Sequence, residues 1–143
     1  MTEKQLKAKA YMDKYEDAVR QVRQCEEQLE REEISVDAIR STSDNDGMPH
    51  GSGISNPTAD KAVRLVDKGL DLFNARDKAR AIQREVFEVA YDIGGVESDV
   101  LIERYIKLKD WVEVCDAVGY SWSQTHMYHR IGLDKVADKL RIE

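Results

Sequence analysis

Helix breakers are scarce in this chain: 143 residues hold two prolines and eight glycines, too few for a collagen-like or low-complexity polymer. Cysteine is scarcer in effect. Cys25 and Cys115 lie far apart with no CxxC companion, which excludes a disulfide framework and a cysteine-based zinc site. Both are expected to pack as small apolar side chains. No apolar run approaches the roughly 18 residues that span a bilayer, and the charged start (Thr2, Glu3, Lys4, Gln5) lacks the apolar stretch of a secretory leader. The expectation is a cytoplasmic protein with no membrane partner. Positive charge is short as well: 22 Lys/Arg against 28 Asp/Glu give a net charge of -6. That excludes a protein that coats nucleic acid by bulk charge, so any nucleic-acid contact has to rest on a local surface.

What is present is helical patterning. From Leu6 to Ile39 the residues Ala8, Tyr11, Tyr15, Ala18, Val22, Cys25, Leu29, Val36 and Ile39 alternate at three and four, broken only where Glu32 takes the seam position. One uninterrupted helix with a narrow apolar stripe is expected, and such a stripe needs a partner helix. Residues 41–56, STSDNDGMPHGSGISN, have no periodicity and read as a connecting loop. Pro57 suits a first helical turn, with Asn56 or Ser55 as N-cap. The helix it opens carries Ala62, Val66, Phe73, Ala79, Ile82, Val86, Val89 and Ile93 on its expected apolar face, widened by Leu65, Leu70 and Leu72. Gly94-Gly95 is its expected end. Residues 1–95 are thus expected to form a coiled-coil-like antiparallel hairpin. The stripe contains Ala8, Ala18 and Cys25, too small to give one isolated helix pair much burial, so self-association is also expected. The acidic run Glu26, Glu27, Glu30, Glu32 and Glu33 suits a solvated face or an electrostatic partner for the returning helix. That helix carries Lys61, Arg64, Lys68, Arg76, Lys78, Arg80 and Arg84 against Asp67, Asp71 and Asp77, a basic stretch that suits a solvated helix face first and help in holding DNA second.

Residues 96–143 are expected to form a separate module of three helices. Val100, Leu101, Ile102, Tyr105, Ile106 and Leu108 mark the first. Asp110 caps the second, with Glu113 three residues on; Gly119 makes a turn; Ser121 caps the third, with Gln124 at the matching position. A short helix, a glycine turn and a Ser-capped helix make a helix-turn-helix pattern, and the whole chain is expected to be all-α. Trp111, Val112, Val114 and Cys115 are expected to supply the apolar side of the second helix, with Val112 and Cys115 holding it against Tyr120, Thr125, Tyr128 and Leu133 of the third. Trp122, Ser123, Gln124, His126, Met127, His129 and Arg130 then point out, and with Ser121 they form the expected DNA-contacting set apart from His129. Gln124 suits adenine, Arg130 guanine or phosphate, and Ser123 with the helix N-terminus a phosphate. Seven Lys/Arg against nine Asp/Glu from Glu97 to Glu143 predict weak binding by one module. His126 and His129 lack a third ligand in reach, and His50 has neither a Walker spacing nor an acid–base partner. No metal, cofactor or catalytic constellation is expected.

Two stretches, MPHGSGISNPTADKA from Met48 to Ala62 and RYIKLKDWVEVCDAVGYSWSQTHMYHRIGL from Arg104 to Leu133, resemble phage regulators of the ArpU/RinA type. These are late-gene activators whose C-terminus is similar to region 4 of sigma-70. The resemblance spans more than half the chain. It implies double-stranded DNA binding through the third C-terminal helix, and contact with RNA polymerase in the manner of a sigma factor. Two alternatives accompany this expectation: a DNA-packaging protein like a small terminase subunit, and an interaction protein that docks on RNA polymerase through Trp122 and Met127.

Overall fold

The computed structural model describes residues 1–43 and 57–143, with side chains for 1–37 and 59–143. Every described element is helical. The order is α1 (Glu3–Met12), α2 (Lys14–Ser43), α3 (Pro57–Ile93), α4 (Gly95–Leu101), a π-helical turn (Ile102–Ile106), α5 (Trp111–Val118) and α6 (Trp122–Lys139). The fold is all-α. Helix α2 runs three residues into the stretch expected to be a loop. The remainder of that loop, with His50, the glycine-rich segment and the candidate caps Ser55 and Asn56, lies outside the described residues. None of the helices meets the length and apolarity needed to cross a membrane, among the described residues.

The first helix starts earlier than its apolar stripe and is not straight. Thr2 caps α1: its hydroxyl accepts from Gln5 N, and the Gln5 side chain accepts from Thr2 N at 3.0 Å, a capping box that fills two otherwise orphaned donors. At Asp13 the helix bends. Asp13 N still donates to Lys9 O at 2.9 Å and Asp17 N to Asp13 O at 3.1 Å, so the backbone ladder carries on. The Asp13 carboxylate meanwhile takes Lys9 Nζ at 2.8 Å. The uninterrupted helix expected from Leu6 to Ile39 is therefore two, α1 and α2.

The chain divides into two compact units, residues 1–19 with 78–143, and residues 20–77. This boundary differs from the expected division at 95/96, because the core of the C-terminal helices includes both ends of the long helices. Ala8 and Met12 of α1, Val86, Val89 and Ala90 of α3, Leu101, Tyr105, and Leu133, Val136 and Ala137 of α6 form one buried cluster. Each large side chain buried there contributes about 1.5–3 kcal/mol. At the rim, Lys4 pairs with Asp138 at 2.7 Å, and the Gln5 amide donates to Asp134 at 3.1 Å. Gly132 lets α6 approach α4, since a Cβ there would lie 3.1 Å from Leu101 Cδ1.

In the second unit the two helices run antiparallel. Glu26 meets Arg76 at 3.1 Å, the Gln28 amide oxygen accepts from Lys68 at 3.2 Å, and Ser35 Oγ accepts from Lys61 at 2.7 Å. Of the acidic run on α2, Glu26 thus has a basic partner on the returning helix, one of the two roles expected of the run. The apolar facing of α3 differs from expectation. Leu72 is buried and Leu65 half-buried, whereas Ala62, Val66, Leu70 and Phe73 are exposed. Two apolar stripes compete on this helix, and α2 takes the one through Leu65 and Leu72.

Candidate functional site

The surface of interest is built from the turn between α5 and α6 outward. Arg104 donates to Lys109 O at 2.8 Å, and Lys107 and Lys109 both reach the Glu103 carboxylate at 2.7 Å. Burial acts to raise the Glu103 pKa, but the hydrogen bonds and charges of the two lysines outweigh it and hold it below the usual range. These contacts tie the 107–110 segment down and place Asp110 at the start of α5. Its carboxylate accepts from Glu113 N at 2.9 Å, a cap without the reciprocal half that was expected of Glu113. Gly119 ends α5 in the left-handed region at φ 75°, where a side chain is disfavoured. Two residues on, Ser121 caps α6 with a full capping box: its Oγ accepts from Gln124 N at 3.3 Å, and Gln124 Oε1 accepts from Ser121 N at 3.4 Å. A short helix, a glycine turn and a capped second helix are therefore all in place.

Helix α6 has two halves with different surroundings. In the second, Gly132, Leu133, Val136 and Ala137 are buried in the core. In the first, Thr125 and His129 point in, while Trp122, Ser123, Gln124, Met127 and Arg130 are exposed, as is Ser121 at the cap. His129 was expected to point out. The inward stripe runs Thr125, His129, Leu133, Val136, at steps of four, four and three, and it carries His129 to the inside. There His129 Nε2 lies 2.7 Å from the Tyr105 hydroxyl, and its ring packs edge-on against Trp111 at 4.6 Å. Burial, then the nearby charges of His126, Lys9, Arg104 and Arg130, push its pKa down to about 4.

His126 is half-buried rather than free on the surface. Its ring lies 4.3 Å from Trp111 and 4.5 Å from Trp122, centroid to centroid, and Arg104 stacks over Trp111 at 4.9 Å. Its pKa is lowered by burial and by Arg130 and Arg104. This cluster of two tryptophans and two histidines went unread in the sequence, although Trp111 was visible on α5 and the other three rings on α6. Trp122 is consequently braced against His126 yet remains 55% exposed. On α5, Val112 does not face inward as expected. Val114 is fully buried and Val112 is exposed, because Trp111, Val114, Cys115 and Val118 make the three-four stripe and Val112 sits about 100° from its neighbour Trp111.

Electrostatically, the exposed half of α6 is nearly neutral. Arg130 is its one Lys or Arg and it holds no carboxylate, while on the second half Lys135 pairs with Glu97 at 3.3 Å and Lys139 with Asp92. Gln124 spends its amide oxygen on the Ser121 cap, so the adenine-reading role expected of it needs that cap to open. Within the same unit, Arg80 and Arg84 of α3 line a shallow cleft of about 440 Å³ with Gln83, Phe87 and Ile106. These two arginines belong to the basic stretch noted in the sequence. Lys61, Lys68 and Arg76, by contrast, are engaged by α2. Comparison with known protein families, with curated proteins and with solved structures finds no match for this chain.

Proposed function

We propose that the chain is a DNA-binding transcription regulator, acting in the cytoplasm of a bacterial host and gripping double-stranded DNA through the first half of α6. The observation that carries this reading is the contrast along α6. Its second half is locked into the core, while its capped N-terminal half, after a glycine turn, presents Ser121, Trp122, Ser123, Met127 and Arg130 to solvent. An exposed helix N-terminus held by a rigid core is the geometry a major-groove reader needs. Backbone amides at that end, with Ser123, suit a phosphate; Arg130 suits a guanine edge or phosphate; Trp122 suits sugar or a thymine methyl. The resemblance to phage late-gene regulators supports a role at late genes of a phage or prophage. With one cation on this face, a single module holds DNA weakly, and two modules on one site offset that by effective concentration.

The test is a fluorescence-anisotropy titration of the chain against duplex DNA flanking its own gene, at low and moderate salt. Binding that weakens with salt and falls several-fold for Arg130→Ala supports the reading. Absence of binding at low salt refutes it. A second reading, docking on a protein such as RNA polymerase, is favoured by one specific observation. Val112, Trp122, Met127 and Ile131 are 63%, 55%, 41% and 36% exposed on α5 and α6, more apolar than a DNA face requires. It predicts that purified RNA polymerase is retained by the wild-type chain and released by Trp122→Ala.

A further inference from the structure

The helix pair of the second unit carries its apolar surface on the wrong side for two helices that stand alone. Among its described residues, Val36 and Leu72 are the buried hydrophobic side chains. On a side of α3 turned away from α2, Val63, Val66, Leu70 and Phe73 are 60%, 63%, 56% and 67% exposed. At about 100° per residue these four fall within one sector, centred roughly 130° from the Leu65–Leu72 stripe that meets α2. Their spacing of three, four and three is that of a seam between two packed helices. No charged residue interrupts the stripe from Val63 to Phe73; the next seam position beyond it is Asp77.

We infer that this outer stripe of α3 is a self-association face, covered in solution by the same stripe of a second copy of the chain. Three points favour a second copy over another occupant. First, a chargeless apolar stripe is complementary to itself, as a two-fold interface requires. Second, the four side chains expose on the order of 400 Å² per copy, the scale of the largest apolar patch a monomer leaves in water; doubled and joined by flanking atoms, this reaches the lower range of specific interfaces. Third, a two-helix unit with so small a described core gains what it lacks by oligomerising. Gly69, mid-helix between Val66 and Leu70 in sequence, has open space where a Cβ would stand, so nothing on α3 blocks close approach there. The inference does not rest on DNA binding, although a dimer would bring two α6 helices to one site.

Sedimentation equilibrium of the full chain at tens of micromolar tests it, with circular dichroism alongside. The wild type is expected at about twice the 16.4 kDa of the chain. Leu70→Glu/Phe73→Glu is expected near the single-chain mass, whereas Asp71→Lys, off the stripe on the same helix, keeps the wild-type mass and helicity. A monomeric wild type overturns the inference. So does a double variant that keeps the wild-type mass, or a ring of many subunits such as a packaging protein forms.

Discussion

His129 makes the stability of the C-terminal unit fall as pH drops through the weakly acidic range. Its folded pKa is about 4, depressed first by burial, against an ordinary 6.5. A histidine with a depressed folded pKa is protonated more readily in the unfolded chain, so its contribution is fully present above about pH 6.5 and is lost as pH falls toward 4. The whole shift corresponds to about 3 kcal/mol, of which about 2 kcal/mol is already lost at pH 5. His126, also depressed by burial and the two arginines, acts in the same direction. The assay is urea unfolding at pH 8 and pH 5 followed by tryptophan fluorescence, because Trp111 and Trp122 both lie in this unit and Trp111 packs on His129. His129→Gln keeps a polar group near Tyr105 and removes the titration. It is expected to be less stable than wild type at pH 8, yet to lose markedly less stability between pH 8 and pH 5. Equal pH dependence in the two proteins would refute the reasoning, as would an imidazole pKa near 6.5 for His129 by NMR.

Leu133→Ala, at a fully buried position in the cluster shared by α1, α3 and α6, is expected to cost about 2–5 kcal/mol, read as a lower urea midpoint. Val114→Ala should cost about 2 kcal/mol and Val112→Ala close to nothing, which checks the register of α5 by thermal melting. Gly119→Ala is expected to destabilise by about 1 kcal/mol, from backbone conformation alone, since a Cβ at Gly119 meets no atom within 4 Å.

The parts of the fold that were legible in the sequence are those governed by local chemistry. Pro57, Asp110, Gly119, Ser121 and the Gly94-Gly95 pair act through caps and backbone conformation within a few residues, and each marks an observed helix boundary. Facing was less legible because it depends on which partner arrives. Helix α3 carries two apolar stripes, and the choice between Leu65–Leu72 and Val66–Phe73 is made by α2. His129 is polar and falls one turn after Thr125, so its placement inside follows from Tyr105 and Trp111, which are distant in sequence. The compact units part elsewhere than at 95/96 for the same reason: Ala8 and Met12 join the C-terminal core through long-range packing. Of the site residues, Trp122, Ser123, Gln124, Met127 and Arg130 are exposed as anticipated, whereas His126 is braced between two tryptophans.

Whether the first half of α6 is a DNA face is read by mapping amide chemical shifts on addition of duplex DNA at low salt. Salt-sensitive changes are expected to concentrate from Ser121 to Arg130, with the indole N–H of Trp122 among them. Unchanged spectra, or changes confined to the α3 stretch from Lys61 to Arg84 with α6 silent, would contradict it.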